Sequence, residues 1–534
     1  MSIFSFAFLL FLMVSGIIYF LVPKRAKWVV LLLASYFFYG CAGPRFLPFL
    51  LCTTLSTFLV GLWLSHLNKR QALALKREGQ PPTAEEKASI KRRFTARKRI
   101  ALSTALVFNF GLLFVVKYAN FVLSSFGGIF SAAGAPLEIE FFSLALPLGI
   151  SFYTFQSAGY VIDVYRGKAE ADRNPFRYAL FLAYFPQIIQ GPIGRHGALA
   201  RQLYEPHPFD YTRVKFGVQR MVWGFIKKIV MADRMAVVVN QVFNQYAEQG
   251  YAGLVVFAGA LLYGVQIYAD FSGGMDIVLG VSEVFGIELA ENFRRPFMAK
   301  SVSEFWQRWH ITLGAWMRDY LFYPLALSKP FNKMGKALRR LGSRYVAKVL
   351  PTCLASFIVF VLIGVWHGPS WKFVVFGLYQ AVFVSTATLF EPFYEKMRRW
   401  FHVKPERFSY RCFQTVRTIL IVTVGRYLSR AASFTDALGL YKATLAKWNP
   451  WVLFDDTFYT LGLAPKEFRL MLMLIVLLFA VDILQEKGVR IRESLASQGI
   501  VFRWLIYIAA LFLLILFGMY GEGIESANFI YQGF

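Results

Sequence analysis

Charge is what this sequence has least of. Only 17% of its 534 residues are Asp, Glu, Lys or Arg, against about a quarter in a soluble globular chain. Disorder and coiled coil, which depend on charged residues, are excluded. Acid is the scarcer sign, with 31 Asp and Glu against 58 Lys and Arg. Cysteine is nearly absent. Cys41, Cys52, Cys353 and Cys412 are scattered without metal or redox spacing, which excludes a disulfide scaffold. Cys41, Cys52 and Cys353 lie in or beside apolar stretches and read as small buried hydrophobes. No phosphate-binding glycine loop and no Gly-x-Ser-x-Gly elbow occurs. No His/Cys/carboxylate set has metal-ligand spacing, so the sequence points to neither an ATP-driven pump nor a zinc protease.

Apolar residues fill the space. The chain is 57% hydrophobic and 18% aromatic, with mean hydropathy +0.48. Its apolar runs approach ~20 residues, the length that crosses a bilayer as a helix, rather than alternating every second residue. These features predict an all-α polytopic membrane protein. The net charge of +27 does not indicate a nucleic-acid surface, because the basic residues lie in short clusters between apolar spans, as in cytoplasmic loops. The N-terminal apolar stretch has no basic region before it and no small-residue cleavage site, so a first membrane helix is expected there rather than a signal peptide.

Candidate spans cover about 3–22, 28–43, 46–65, 101–124, 141–163, 176–192, 214–240, 251–288, 347–367, 371–393, 413–430, 468–484 and 503–521. The stretch 251–288 has room for two passes, or one pass and a re-entrant piece, while 176–192 is short and rich in Pro and Gln. About eleven to thirteen membrane segments are expected, re-entrant pieces included. Lys24, Arg25 and Lys27 place the first loop in the cytoplasm, and two crossings later the basic segment 66–100 falls on the same side. The basic stretches 329–348, 394–411 and 487–503 also favour the cytoplasm, leaving 431–467 and both termini outside. The segment 66–100 reads as a solvated helical hairpin. No internal repeat and no second soluble domain is evident. The whole chain, 1–534, is expected to form one transmembrane domain, with 301–345 an amphipathic or re-entrant segment followed by a basic loop.

Polar groups at membrane depth are costly and need a reason. Gln266, Asp270, Ser272, Gly273, Gly274 and Asp276 interrupt one apolar run. The two glycines would break a helix or admit another backbone. Interhelical hydrogen bonds that fix packing explain this cluster as well as chemistry does. Gln187, Gln190, Gly191 and Pro192 mark irregular backbone, tolerated at such depth only when buried in protein or lining a cavity. Ser301 and Glu304 form a capping box that should start a helix. On that helix Trp306, His310, Leu313, Gly314 and Met317 would share a face, with Gly314 leaving space beyond the imidazole. Trp306, Trp309 and Trp316 suit a membrane interface. An interfacial helix whose His310 makes one hydrogen bond is the plain alternative. Gly368-Pro369 should end an apolar helix at His367, where the helix dipole favours an imidazolium and so a base holding an abstracted proton. A helix-end histidine bonding a free carbonyl is the alternative. The chain has six histidines, and two of them fall in tryptophan-rich polar breaks of a membrane domain.

At these residues the chain resembles the membrane-bound O-acyltransferase (MBOAT) family, in its bacterial branch of alginate and peptidoglycan O-acetyltransferases and teichoic-acid D-alanyltransferases. The resemblance runs from Tyr36–Tyr39 through Leu146–Gln156, Phe185-Pro186-Gln187, Gln190-Gly191-Pro192, Gln266–Asp276 and Glu291-Asn292-Phe293. It continues through Glu304–Tyr323 and Trp366-His367-Gly368 to Asn528–Tyr531. It implies a helical ring around a central tunnel. An acyl-thioester donor such as acetyl-CoA would enter from the cytoplasm, and an extracytoplasmic acyl-accepting transferase or a polysaccharide would approach from the other side. It makes His367 and His310 the catalytic pair. His367 would be the base, and His310 would orient the donor or stabilise the oxyanion. Asp270 would hold an imidazole or brace the fold, and Gln266, Ser272, Trp306, Asp319, Trp366 and Gln190 would support the site or line the tunnel. No metal, no permanently bound cofactor and no nucleic acid is implied. The location implied is the bacterial inner membrane. D-alanyl transfer to teichoic acid from a carrier protein stays open, as does, from another class, a transporter that uses Asp270 and Asp276 for proton coupling. The lack of paired broken helices argues against the transporter.

Overall fold

In lipid an apolar run can satisfy its backbone only as a helix or a closed barrel, and here helices form. The computed structural model describes residues 1–76, 83–134, 141–142, 145–340 and 342–520. The Asn528–Tyr531 motif and the C-terminus lie outside the described residues. Among the described residues no strand occurs, only one isolated antiparallel bridge between Phe293 and Trp309. Among the described residues six helices are long and apolar enough to cross a membrane. The protein is an all-α, multi-pass membrane protein. The sequence count of spans is higher in part because it admits runs that become short helices, while two others, 413–430 and 468–484, lie in the longer helices Phe408–Arg430 and Pro465–Glu486. Phe6–Leu21, Lys27–Ala42 and Ile150–Tyr165 have 16 residues each, a rise of about 24 Å against a hydrocarbon core of about 30 Å.

The chain divides into two compact units. The first comprises Met1–Val218 and Val278–Ala290. It contains α1 (Phe6–Leu21), α2 (Lys27–Ala42), α3 (Leu47–Leu75), α4 (Ala84–Ala132), α5 (Ile150–Tyr165), α6 (Pro175–Ala183) and α7 (His196–Tyr204). Thr83 and Glu86 form a capping box that starts α4. The stretch expected to be irregular is so: after α6 the chain runs without helix through 184–194, nearly all of it buried. Side chains hold it there. Gln156 donates to Phe181 O at 2.6 Å, and Gln187 donates to Gln156 Oε1 at 2.9 Å and to Pro192 O.

The second unit comprises Gln219–Ile277 and Glu291–Phe534. The helix α8 (Tyr211–Phe225) runs into a π-helical turn, Ile226–Ala232, and then α9 (Asp233–Gln249). Next comes α10 (Gly253–Val284), whose last turns belong to the first unit. The stretch 251–288 is therefore one helix of 32 residues, neither two passes nor a re-entrant piece. Gly273 does not break it. A Cβ on Gly273 would sit 2.8 Å from Gly224 O, and one on Gly224 2.6 Å from Gly273 O. The absent side chains let α8 and α10 touch backbone to backbone.

After α10 come α11 (Val302–Arg308), α12 (Ile311–Met317), a π-helical turn Arg318–Phe322, α13 (Tyr323–Ala326) and α14 (Lys329–Arg340). The exposed face of α14 carries Lys329, Lys333, Lys336, Arg339 and Arg340, while Phe331, Met334 and Leu338 turn inward. Then α15 (Arg344–His367) packs along α16 (Trp371–Leu389). A Cβ on Gly377 would lie 2.7 Å from Phe360 O, so this pair too is joined through small residues. His367 ends α15, a helix length of about 36 Å from its basic start. The chain closes with α17 (Glu391–Trp400), α18 (Phe408–Arg430), α19 (Phe434–Ala446), α20 (Pro465–Glu486), α21 (Ile491–Ala496) and α22 (Ile500–Phe517).

Candidate active site

Ser301 starts α11 as expected, its hydroxyl accepting from Glu304 N at 3.1 Å. Only half of the capping box forms, because the Glu304 carboxylate reaches Lys300 N instead, at 2.9 Å. The single amphipathic helix drawn through Trp306 and His310 does not exist. It stops at Arg308 and restarts at Ile311. The cause is a competing partner for the backbone. Phe293 bridges Trp309, Arg294 N donates to Arg308 O at 2.9 Å, and Ile311 N donates to Asn292 O at 3.0 Å. The break leaves His310 left-handed, at φ +48°, a conformation that costs a residue with a Cβ about 1–2 kcal/mol. Such strain is held in place where the surroundings over-determine it, often at functional sites. The expected shared face is lost with the helix, and Gly314 is exposed rather than opening space by the imidazole. Trp309 and Trp316 are buried, not interfacial. The guanidinium of Arg426 lies over Trp309 at 4.8 Å.

The His310 imidazole is 3% exposed. Its Nδ1 faces Asn292 Oδ1 at 3.2 Å, and the Phe271 ring meets it edge-on at 5.0 Å. Trp366 stands at 6.0 Å from His310 and 5.2 Å from His367, centroid to centroid. The two imidazoles are thus at most about 11 Å apart, the sum of those separations. His367 is buried too, with Phe376 at 5.8 Å and Phe373 at 6.3 Å. Two imidazoles in an apolar aromatic surround, this close together, can serve one bound group as proton acceptor and orienter.

Asp270, a candidate to hold an imidazole or to brace the fold, pairs with a lysine. Lys228 Nζ lies 2.8 Å from Asp270 Oδ1 and 2.7 Å from Asp233 Oδ1. One residue on, Phe271 turns to His310. Ser272 accepts from Lys227 Nζ at 2.9 Å, and the same ammonium pairs with Asp276. Asp276 also takes Arg220 Nε at 2.9 Å, and Arg220 reaches Glu291 at 2.7 Å. Gln266 is buried one turn before Asp270 on α10. Trp306 donates to Gln380 Oε1 at 3.1 Å and packs on Phe360 and Phe376. Asp319 lies in the second π-helical turn, partly exposed, 3.3 Å from Arg318. Gln190 is buried in the irregular stretch of the first unit. Outside the apolar core, Arg308 and Arg295 both grip Glu486, at 2.9 and 2.6 Å. Partial burial alone would raise the Glu486 carboxyl. The bonds from Arg308 and Arg295 outweigh it and hold the group below its ordinary range.

Sequence reasoning assigned no role to Lys228, Arg220, Gln380, Arg426 or Asn292. Four of them had a signal: each is a charged or amide side chain inside an apolar stretch, the pattern that singled out Asp270. Asn292 lies between spans and had only its place in a motif.

The fold and these buried imidazoles define a multi-pass membrane protein with an enclosed aromatic site. Residues 170–410, which include both histidines, match the family described as MBOAT, membrane-bound O-acyltransferase family. The chain is 30% identical over 441 residues to the probable alginate O-acetylase AlgI of Azotobacter vinelandii, covering 82% of this chain and 76% of that one. It is 29% identical over 408 residues to a peptidoglycan O-acetyltransferase of Helicobacter pylori, covering 70% and 68%. Against a teichoic acid D-alanyltransferase of Bacillus subtilis the identity is 27% over 266 residues, 47% of this chain and 61% of that one. The chain belongs to the membrane-bound O-acyltransferase family and is an acyltransferase.

Proposed function

We propose that the protein transfers an acetyl group from a cytoplasmic thioester, acetyl-CoA or an equivalent carrier, to a hydroxyl of a cell-surface polysaccharide such as alginate or peptidoglycan. An extracytoplasmic acyl-accepting protein receives the group on the way, and the location is the bacterial cytoplasmic membrane. The observation that carries this reading is the match along 82% of the chain to an alginate O-acetylase, with His310 and His367 buried about Trp366 inside the family-matched residues. D-alanyl transfer has less support, since the D-alanyltransferase match covers 47% of the chain. Membership of an acyltransferase family sets the transporter aside.

In this reading the acceptor hydroxyl attacks the thioester carbonyl while His367 takes its proton. The tetrahedral oxyanion collapses, the C–S bond breaks, and the thiolate leaves with that proton. Inverted membrane vesicles given labelled acetyl-CoA should build acyl ester on the acceptor, whereas a D-alanyl carrier thioester should not be consumed. The opposite preference would replace acetyl by D-alanyl transfer. The basic segment 66–100 is placed in the cytoplasm, so protease added outside intact cells should leave it whole. Cleavage there would reverse the orientation.

A further inference from the structure

We infer that Asn292 is a positioning residue that fixes the tautomer of His310, with the proton on Nδ1 and the lone pair on Nε2. The inference rests on the reading of His310 as part of the acyl-transfer site. Three donors converge on Asn292 Oδ1: Thr312 Oγ1 at 2.9 Å, Thr312 N at 3.0 Å and His310 Nδ1 at 3.2 Å. The backbone amide of Thr312 can only donate, so the atom facing it is the amide oxygen and not the nitrogen. Asn292 Nδ2 points the other way, to Met275 Sδ at 3.4 Å. An amide oxygen can only accept, so Nδ1 of His310 must carry a proton. A ring buried this deeply is favoured neutral, and a neutral ring with its proton on Nδ1 presents an acceptor at Nε2. His310 therefore takes a proton or a hydrogen bond from the reacting groups. It does not donate one to the oxyanion, which decides between the two roles the sequence left open for it.

The rest of the second unit holds Asn292 in place. Arg220 clamps the preceding residue, Glu291, and is itself fixed by Asp276 of α10. The following residue, Phe293, forms the bridge to Trp309. Asn292 O accepts from Ile311 N, so both sides of the His310 break are tied to one short segment. Asn292 is 1% exposed.

The test uses three variants, Asn292→Ala, Asn292→Asp and His310→Ala, and the double variant Asn292→Ala/His310→Ala. Thiol release from acetyl-CoA is measured in membranes of producing cells that hold the acceptor, per correctly inserted molecule. Asn292→Ala should lose about 100-fold in kcat, the scale of a misplaced reacting group, with KM for acetyl-CoA unchanged. Asn292→Asp keeps an acceptor for all three donors and should restore at least a third of the wild-type rate. In the His310→Ala background, Asn292→Ala should cost nothing further. Full activity of Asn292→Ala, no rescue by Asp, or a further loss in the His310→Ala background would each overturn the inference. Should the alanine variant fail to insert, the aspartate variant alone decides, by keeping or losing the rate. Full activity of His310→Ala would instead remove His310 from the site. A wild-type protein inert to acetyl-CoA would sink the donor assignment alone, and the same variants would then be read by the acyl-ester content of the cell envelope.

Discussion

His367→Ala is expected to abolish acyl transfer, by the 10²–10⁴-fold that one general base typically supplies, and to leave the protein folded and in the membrane. The helix that carries His367 is stopped by Gly368-Pro369 and held to α16 through Gly364 and Gly377. The imidazole adds ring contacts to Phe373 and Phe376 of α16, but the close backbone approach at the glycines does not depend on it. A structural histidine would give the reverse pattern, with lower abundance or detergent stability and unchanged activity per folded molecule. The check is the rate of acyl transfer normalised to inserted protein. If the variant keeps more than about a tenth of the activity, the barrier has risen by less than ~1.4 kcal/mol, too little for an essential base.

Lys228→Met is expected to be among the most destabilising single changes. Lys228 is buried and its ammonium is shared by Asp233 and Asp270, themselves buried. Removing it leaves two carboxylates without that cation, and breaking a buried pair in this way costs about 3–5 kcal/mol. Replacing all three charges is a different matter, because a neutral, packed substitute for a buried ion set is often tolerated. Lys228→Met with Asp233→Asn and Asp270→Asn should therefore recover most of the thermal stability in detergent that Lys228→Met loses. An unchanged melting temperature for Lys228→Met, or no recovery in the triple variant, would show that the ion set does not brace the π-helical turn against α10.

Much of this was legible because membrane segments announce themselves by composition. The helical class, the stop after His367 and the irregular stretch around Gln190 each follow from a local rule: apolar run length, Gly-Pro, or a Pro-Gln-Gly break. The His310 break was not legible. By spacing, Ser301 to Met317 is a good amphipathic helix. What ends it is Phe293, a residue 16 positions before Trp309 that pairs with it across space, and no local pattern registers such a partner. The same holds for Asp270. Its cost at membrane depth was visible, but its partner Lys228 sits 42 positions earlier, and no local pattern links the two. Gly273-Gly274 offered two outcomes, a broken helix or a close approach, and only the position of Gly224 selects the second. The left-handed backbone at His310 has a chemical corollary. Histidine, like Asn and Asp, accepts φ > 0 more readily than most residues with a side chain, which suits it to this break.

In the proposed mechanism His310 and His367 serve one reaction at one site. The most direct measurement is the acyl-transfer rate of His310→Ala, His367→Ala and the double variant, each per inserted molecule. Groups that act as a unit are non-additive, so the double variant should be no more than a few-fold slower than the slower single variant. A double variant whose loss equals the product of the two single losses would show two independent contributions and contradict the shared site.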